Sequence, residues 1–314
     1  MKKVGIVVVT YNRLALLKEA IDSLRNQIYT NREIVVVNNG STDGTQEWLN
    51  AQKDIIVITQ QNLGGAGGFF TGMKYVAEHD YDYCWVMDDD VVCHSDALQE
   101  LVNAYTKKTD IGFVCSKVVG INGCPMNTPT VDDRPSSNGE ADYSDLIAES
   151  MIKVKTATFV SVLCSVKTIK EVGLPYKEFF IWGDDTEYTN RISLHHECYM
   201  VCKSVVVHKR AIQGSLSFET ETDPSRRKMY FYEMRNEAFI EFKYNKLYLN
   251  RRMRFRYYVR RYWLSFLLLM RGNFAHAALI IKSTNASWFF SPIVQYPYNA
   301  EESHIESTIK EKNH

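Results

Sequence analysis

Three consecutive carboxylates, Asp88, Asp89 and Asp90, directly follow the apolar run Trp85–Met87. Adjacent like charges repel one another, and a carboxylate that is buried without a partner costs free energy. In an extended segment, the side chains at positions i and i+2 point to the same side. Asp88 and Asp90 could therefore converge on one divalent cation while Asp89 turns elsewhere. A solvated acidic loop at a strand end is the alternative, and the aspartates alone do not decide between the two.

Two further groups with possible chemistry lie downstream. Asp184 and Asp185, in the stretch WGDDTEY, stand just before a predicted helix that begins at Thr186. A neighbouring carboxylate raises the pKa of one member of such a pair, which suits proton abstraction near neutral pH. A pair that caps the helix is the alternative. His208 ends the apolar strand Tyr199–Val207, where a lone histidine is more often structural than a metal ligand.

These groups need a scaffold, and the pattern of the first hundred residues predicts one. Strand and helix alternate four times, with polar turns at the carboxyl ends of the strands. This pattern is typical of an open α/β sheet that binds ligands beyond those ends. The predicted strands are Val4–Thr10, Glu33–Val37, Ile55–Thr59 and Cys84–Met87.

A glycine-rich turn, NLGGAGGF, begins at Asn62 after the third of these strands and opens a helix. Its glycines, which include Gly65, would let the backbone come close to a ligand, and a helix N-terminus favours anions. The spacing and the position differ from those of a dinucleotide-binding fingerprint. Tight packing of the helix on a strand is the alternative.

The sequence after the first hundred residues predicts the rest of the sheet and then a C-terminal region that is basic. Further strands are expected at Ile111–Val119 and Thr156–Ser165, and the aperiodic segment 120–150 is expected to border a substrate site. From residue 226 the pattern is helical and rich in Arg and Tyr, with 16 Lys and Arg against 7 Asp and Glu. We predict an α/β domain over residues 1–225 and a basic, aromatic helical extension over residues 226–314.

The C-terminal extension and the cysteine content indicate where in the cell the protein is expected. The apolar stretch Trp263–Met270 is too short to cross a bilayer, which takes about 20 residues. A basic, aromatic helix suits the surface of an anionic leaflet, and packing on its own domain is the alternative. Seven scattered cysteines without C-x-x-C spacing, and no signal peptide, indicate reduced thiols in the cytoplasm. The net charge of zero gives no sign of a nucleic-acid partner.

Six motifs in order carry a family resemblance: TYNR, NNGSTDGT, NLGGAGGF, WVMDDDV, WGDDTEY and VVVH. Over about residues 1–245 they resemble the inverting glycosyltransferases of family 2, which have the GT-A fold. Within that family the chain is most similar to the galactofuranosyltransferase and rhamnosyltransferase branch. The resemblance implies a mixed, mostly parallel α/β sheet flanked by helices, with the C-terminal helical extension added.

The resemblance also implies roles for individual residues. Many relatives carry Asp at the position of Asn38, whose amide could still pair with a base. The metal, Mn²⁺ or Mg²⁺, would bridge the donor diphosphate. Arg235-Asn236 would lie near the diphosphate or the acceptor, and the alternative for this pair is a role in helix packing. The donor site would include Thr10, Asn12, Arg13, Asn38, Asn62, Gly65, Asp88 and Asp89; the metal ligands would be Asp88, Asp90 and His208; Asp185 would be the base, and Trp182 and Asp184 would bind the acceptor.

The function that these residues suggest is transfer of a hexosyl unit from a nucleoside diphosphate sugar to a hydroxyl of a surface polysaccharide or a lipid-linked glycan precursor. The resemblance favours UDP-galactofuranose as donor over dTDP-rhamnose, at the cytoplasmic leaflet. A nucleotidyltransferase would need a Gly-rich loop with Arg and Lys after the first strand, where this chain has TYNRLALL. A non-catalytic assembly scaffold is a further alternative, which the presence of Asp88, Asp90, Asp185 and His208 together argues against.

Overall fold

The computed structural model describes residues 1–210 and 223–297, together with Phe218 and Glu221. The strands in this part of the chain are β1 (Val4–Thr10), β2 (Arg32–Asn38), β3 (Ile55–Thr59), β4 (Tyr83–Asp88), β5 (Val91–Cys93), β6 (Ile111–Gly120), β7 (Thr130–Val131), β8 (Met151–Thr156), β9 (Val162–Ser165) and β10 (Glu197–His208). The α-helices are α1 (Leu14–Arg25), α2 (Thr45–Asn50), α3 (Gly64–Glu78), α4 (Ala97–Ala104), α5 (Val166–Val172), α6 (Asp184–Ser193), α7 (Pro224–Tyr244), α8 (Arg251–Met270) and α9 (Phe274–Ser287).

The strands form one mixed sheet in the order β3-β2-β1-β4-β9-β6-β10-β8-β7, and β5 pairs with β10 outside this path. Strands β3, β2, β1 and β4 are parallel to one another, and β6 is parallel to β10. Strand β9 runs antiparallel between β4 and β6. The predicted mixed, mostly parallel α/β sheet is confirmed.

Strand β1 is apolar throughout because both of its faces are covered, as parallel strands usually are. Ile6 and Val8 pack in a cluster that includes Leu17 and Ile21 of α1, while Val7 packs on the other face in a cluster with α3. A Cβ added at Gly72 would lie 2.2 Å from a methyl group of Val7, so this glycine lets α3 approach β1 closely. Tight packing therefore explains some of the small residues in α3.

Two predicted boundaries were wrong. The strand expected at Thr156–Ser165 is interrupted, because β8 ends at Thr156 and β9 begins at Val162. Thr189 Oγ1 hydrogen-bonds to both the N–H and the carbonyl of Ala157 at 3.1 Å, which occupies backbone groups that a strand would pair. The helix expected from Thr186 begins at Asp184, so both aspartates lie in its first turn.

The C-terminal helices pack on the sheet domain and on each other. Phe239 and Ile240 of α7 contact the cluster of Tyr176 and Phe179, and α8 lies against α9. None of the described helices is long and apolar enough to cross a membrane. The predicted boundary at residues 225 and 226 falls in the first turn of α7, and residues 298–314 of the predicted extension lie outside the described residues.

Candidate active site

The pairing of two distant strands brings Asp88, Asp90 and His208 together. Asp88 ends β4, and the chain turns through Asp89 and Asp90 into β5. Strand β5 pairs antiparallel with the end of β10, in a register that places Val91 opposite His208. One ligand atom each from Asp88, Asp90 and His208 lies within 4.8 Å of the others. The convergence expected of Asp88 and Asp90 is thus present in the geometry, with an imidazole added.

The atoms of this cluster fit a divalent cation. Nε2 of His208 lies 3.1 Å from Oδ1 of Asp90, yet this oxygen is buried and accepts no hydrogen bond from the described part of the chain. A buried acceptor without a partner costs free energy, which a bound cation would remove. Two carboxylates and one imidazole form a donor set that suits Mn²⁺ or Mg²⁺. Asp88, Asp90 and His208 are therefore the residues that would hold the metal.

Asn127 controls which nitrogen of His208 is available. Its Oδ1 lies 2.9 Å from Nδ1 of His208. Because an amide oxygen can only accept, this contact assigns a proton to Nδ1 and leaves Nε2, which faces Asp90, as the nitrogen that could bind a metal. A partner of this kind fixes both the tautomer and the ring orientation of a metal-binding histidine.

Asp89 turns away from this cluster and is bound by residues from the end of β1. Its carboxylate accepts a hydrogen bond from Thr10 Oγ1 at 2.7 Å and one from Arg13 Nη1 at 3.3 Å. Arg13 also lies 3.0 Å from Oδ2 of Asp90. Burial raises the pKa of Asp89 to about 6, against the opposing effects of Arg13 and Thr10. The guanidinium of Arg13 thus compensates charge in the aspartate cluster.

One arginine does not balance the negative charge that is collected here. Burial raises the pKa of Asp88 well above its ordinary value, and the charges of Asp90, Asp89 and Asp185 raise it further, while Arg13 opposes them. The site therefore has a surplus of negative charge that favours a cation. The effect of Asp185 on Asp88 also shows that the two carboxylates lie within electrostatic range of each other.

The residues expected to bind the nucleobase are placed near each other but are engaged within the protein. Asn12 Oδ1 accepts a hydrogen bond from the Thr42 N–H at 2.7 Å, which ties the turns after β1 and β2 together. Asn38 is fully buried; its amide group donates to Gln46 at 2.7 Å and its oxygen accepts from the Ser41 N–H at 3.0 Å. The amide still has a free N–H and a free lone pair, but Asn38 is fully buried among the described residues, so the base-binding role stays a prediction.

The glycine-rich turn serves two purposes. Asn62 Oδ1 accepts a hydrogen bond from the Gly64 N–H at 2.9 Å, which closes the turn before α3. Gly64 has a φ of +74°, and a Cβ there would lie 2.0 Å from the carbonyl oxygen of Phe180, so only glycine fits. At Gly65, in contrast, an added Cβ would meet no described atom within 4 Å. Of these residues, Gly65 is the one with open space for a ligand.

Asp184 and Asp185 occupy the first turn of α6 and have different surroundings. Asp184 is 6% exposed, and burial, together with the charge of Asp185, raises its pKa well above the ordinary value. Asp185 is partly exposed and accepts a hydrogen bond from the Thr186 N–H at 2.6 Å. Burial also raises the pKa of Asp185, while the bonds from Thr186 lower it. Asp185 is the less enclosed carboxylate of the pair.

The loop that leads into α6 is held by α7. Phe180, Trp182 and Gly183 all have φ values between 60° and 90°, which residues other than glycine rarely adopt. The buried Asn236 donates through its amide to three carbonyl oxygens of this loop, those of Phe179 at 3.0 Å, Ile181 at 3.2 Å and Trp182 at 2.8 Å. Arg235 donates to the Glu178 carbonyl at 2.7 Å and to Asn236 Oδ1 at 2.9 Å.

The Arg235-Asn236 pair therefore holds the backbone beside the expected acceptor residues. The ring of Trp182, which was expected to bind the acceptor, packs edge-on against Tyr230 of α7 at a centroid distance of 5.1 Å. Helix α7 thus determines how both Trp182 and the first turn of α6 are presented.

Comparison with known proteins identifies the family. Residues 5–164 match the family model of glycosyl transferase family 2. This chain belongs to that family. The matched range covers about half of the chain and contains the aspartate cluster, so the family predicted from the motifs is confirmed.

Curated relatives of this family 2 glycosyltransferase include sugar transferases with different donors. The chain is 26% identical to the galactofuranosyltransferase GlfT1 of Mycobacterium tuberculosis over 252 residues, which cover 74% of this chain and 80% of that protein. It is 29% identical to the abequosyltransferase RfbV of Salmonella typhimurium over 125 residues, 38% of each chain. The chain is thus a hexosyltransferase, as predicted.

A solved structure supports the fold. Residues 1–349 of TarS from Staphylococcus aureus superpose with a TM-score of 0.53 at 15% identity, and the match covers 79% of this chain and 67% of that one. The same TarS fragment in complex with UDP gives a TM-score of 0.53 at 14% identity, over 79% and 68% of the two chains. The predicted GT-A fold is confirmed.

Two contacts of this glycosyltransferase could not be predicted from its sequence. Asn127 lies in the aperiodic segment 120–150, where a turn-forming residue gives no sign of a distant partner; its positive φ of 47° becomes visible only in the structure. The Arg235-Asn236 pair was placed near the diphosphate or the acceptor, but its contacts with the loop before α6 were not foreseen. Both contacts depend on segments that are far apart in the chain.

Proposed function

We propose that this enzyme is a metal-dependent inverting glycosyltransferase that moves galactofuranose from UDP-galactofuranose to a hydroxyl of a surface polysaccharide or a lipid-linked glycan precursor. The observation that carries the proposal is the cluster of Asp88, Asp90 and His208, in which a buried carboxylate oxygen has no hydrogen-bond partner among the described residues. A separate pair of carboxylates at the start of α6 supports a second chemical role nearby.

The first role is to hold the leaving group. Asp88, Asp90 and His208 would bind Mn²⁺ or Mg²⁺, which, when bound, neutralises negative charge on the departing nucleoside diphosphate. Arg13, half exposed and paired with Asp89 and Asp90, adds a fixed positive charge at the same edge of the sheet. Gly65 gives the donor open space beside the α3 N-terminus, whose amides favour anions.

The second role is proton transfer. Asp185 takes the proton of the acceptor hydroxyl while that oxygen forms a bond to the anomeric carbon and the bond to the diphosphate breaks. One displacement inverts the anomeric configuration and requires no covalent enzyme intermediate. The raised pKa of Asp185 suits a base that works near neutral pH. Asp184 and Trp182 would orient the acceptor, in a geometry that Asn236 maintains.

The choice of donor rests on the relatives. The GlfT1 proteins are galactofuranosyltransferases by name, and the TarS structure was solved with UDP. A dTDP-rhamnose-dependent rhamnosyltransferase is the second candidate, because the motifs also resemble that branch and Asn38 stands where many relatives carry Asp. A non-catalytic scaffold has little support, since it would have no need for a charged cluster of potential metal ligands and a separate pair of carboxylates at the start of α6.

The proposed location is the cytoplasmic face of the membrane, as a peripheral protein. Helix α8 exposes Arg252, Arg256 and Arg260 in its first half, and Trp263 and Phe266 in its second half. Basic residues beside exposed aromatic residues suit the surface of an anionic leaflet, where lipid-linked acceptors are presented.

Release of UDP from UDP-galactofuranose, measured with and without Mn²⁺, tests the function. We expect turnover that requires the metal and falls sharply in Asp90→Ala and Asp185→Ala, with dTDP-rhamnose as the comparison donor. Exposed Asp133→Ala is the matched control, because it removes a carboxylate that is outside the six motifs and pairs with Lys155. If dTDP-rhamnose alone supports turnover, the donor assignment is wrong; if neither aspartate variant affects turnover with either donor, the mechanism is wrong.

A further inference from the structure

A cavity of about 580 Å³ lies among α7, α8 and the residues at and after the end of α9, apart from the aspartate cluster. Its volume is within the range of small-molecule sites, about 300–1,000 Å³. The lining is unusual in composition, because it combines aromatic rings with cationic side chains and includes no carboxylate. The lining residues are Phe239, Phe242, Lys243, Arg251, Arg254, Phe255, Tyr258, Ser287, Trp288, Phe290 and Ser291.

The three cations of this cavity differ in how much of their charge is compensated. Lys243 lies 3.0 Å from a carboxylate oxygen of the fully buried Glu187, which also pairs with Arg191 at 3.0 Å, so the charge of Lys243 is only partly compensated. Arg254 donates to the carbonyl oxygens of Tyr248 at 2.5 Å and Phe242 at 3.2 Å, so it is fixed in place, and it forms no ion pair with a carboxylate of the described residues. Arg251, at the start of α8, is exposed and forms no ion pair with a described carboxylate. The two arginines therefore bring positive charge to the cavity that no described carboxylate compensates.

The aromatic side chains give the cavity an apolar wall that continues onto the surface. Tyr258 is buried and stacks on Trp288 at a centroid distance of 4.0 Å. Phe255 and Trp288 are 65% and 53% exposed, so they line the cavity and also reach solvent. The apolar surface continues to Phe289, which is 91% exposed. A ligand with an apolar chain could leave the cavity over this surface without losing apolar contact.

We propose that this cavity binds the phosphate group of an anionic lipid, with the phosphate at Arg251 and Arg254 and the first part of the chain against Phe255, Tyr258 and Trp288. Arginine binds phosphate oxygens through two parallel N–H groups, and aromatic rings at a membrane surface contact the start of the chain. The site is independent of the transfer reaction, because none of its lining residues belongs to the aspartate cluster or to the first turn of α6.

The cavity is nevertheless connected to the acceptor side of the enzyme through α7. Lys243 follows Asn236 by seven residues, which corresponds to about 10 Å along a helix. Asn236 holds the loop before α6, and Phe239, between the two, packs edge-on against Phe179 of that loop at 5.7 Å. A lipid bound in the cavity would therefore fix the membrane surface about two helical turns from the acceptor loop.

Binding of octyl phosphate below its micelle concentration, measured by calorimetry on the full chain without donor or metal, tests the proposal. We expect saturable binding of one equivalent, at least about tenfold tighter than binding of inorganic phosphate or of octyl glucoside, because both the charge and the chain contribute. Arg251→Gln should weaken the binding about tenfold. Arg256→Gln, which removes the same charge from an exposed position on α8 outside the cavity, should change the affinity less than about twofold.

A charge-neutral variant provides the second arm. Ser287 is half-buried and lines the cavity, so Ser287→Phe should fill the cavity and abolish binding with no change in net charge. If that variant fails to fold, the comparison of Arg251→Gln with Arg256→Gln decides. Equal losses in the two arginine variants would indicate surface attraction and overturn the proposal, as would inorganic phosphate or octyl glucoside binding as tightly as octyl phosphate, or no saturable binding by the unmodified chain.

Discussion

The amide nitrogen of Asn236 lies 2.8 Å from the carbonyl oxygen of Trp182, and this hydrogen bond joins the C-terminal helices to the candidate active site. Trp182 has a φ of 60°, a conformation that a bulky side chain adopts only when its surroundings enforce it. The bond therefore maintains a backbone shape that would otherwise relax. In consequence, the loop that carries the residues expected to bind the acceptor depends on Asn236 of α7, which lies beyond the predicted boundary at residues 225 and 226.

Replacement of Asn236 by Asp should destabilise the protein and slow the reaction. The change keeps the size of the side chain but replaces the donor by an oxygen that faces three carbonyl groups. We expect a loss of about 2–3 kcal/mol in the free energy of unfolding, since buried polar groups would lose their partners. Turnover of the folded fraction should also fall, because the loop no longer holds Trp182 and Asp184 in place. Thermal denaturation and steady-state kinetics measure the two effects.

Asn250→Asp provides the matched control for this change. Asn250 lies just before α8, is exposed, and accepts a hydrogen bond from the Arg252 N–H at 2.9 Å, which an aspartate would also accept. This variant should differ from the original protein by less than about 0.5 kcal/mol. If the Asn236→Asp protein kept its melting temperature and its turnover, Asn236 would not position the loop before α6.

The metal cluster leads to a second prediction. Asp90→Asn should lower the affinity for Mn²⁺ at least tenfold, because it replaces a charged ligand oxygen by a neutral amide at a site where Asp88 and His208 also converge. Titration of Mn²⁺ followed by electron paramagnetic resonance measures the free ion directly and does not require turnover. Asp82→Asn, which removes a partly exposed carboxylate just before β4, is the control and should leave the affinity unchanged.

Equal affinity in Asp90→Asn and Asp82→Asn would indicate that Asp90 is not a ligand. The structure would then need another explanation for Oδ1 of Asp90, which is buried without a hydrogen bond from the described residues.

Part of this site was predictable from the sequence and part was not. Strand β1 carries apolar side chains on both of its faces, so its burial could be predicted from composition alone. The convergence of Asp88 and Asp90 follows from the alternation of side chains along an extended segment. His208 is different, because nothing in its own surroundings distinguishes a ligand from a structural histidine. Its position depends on the pairing of β5 with β10, about 115 residues apart, and only the family resemblance suggested it.

Long-range contacts also explain the errors and the omissions. The apolar run Thr156–Ser165 resembles one strand, but its two ends pair with different partners: Thr156 pairs with β7, and β9 pairs with β4 and β6. Asn38 resembles a base reader by position, yet Gln46 and Ser41 occupy its polar groups. Local pattern does not report which distant group will satisfy a buried amide or a backbone N–H. The same limit hid the contact between Asn127 and His208.

That contact yields a third prediction. Asn127→Ala should reduce the affinity for Mn²⁺ about 10- to 100-fold, because His208 would lose the acceptor that keeps its proton on Nδ1. Asn127→Asp retains an oxygen acceptor and should restore most of the affinity. Asn138→Ala, an exposed position in the same segment, is the control. If alanine and aspartate at position 127 give equal affinities, the side chain does not orient His208.

The last prediction separates the base from the metal site. Asp185→Asn should lower kcat by about 10²- to 10⁴-fold, which is the usual contribution of a general base. The affinity for Mn²⁺ should stay within about threefold, because Asp185 affects Asp88 only through its charge. Removal of that charge should change the affinity for Mn²⁺ far less than removal of a ligand would. In the unmodified enzyme, burial raises the pKa of Asp185, so kcat should decline as the pH falls through that raised pKa and the carboxylate becomes protonated.

The residual activity of the variant should lack this acidic decline, since an amide does not titrate. Measurements of kcat against pH with saturating donor and metal show the difference, and Asp133→Asn should keep the profile of the unmodified enzyme. A variant that loses Mn²⁺ affinity as strongly as Asp90→Asn would place Asp185 among the metal ligands. A variant with an unchanged acidic limb would assign the proton transfer to another group, of which the buried Asp184, with its raised pKa, is the nearest candidate.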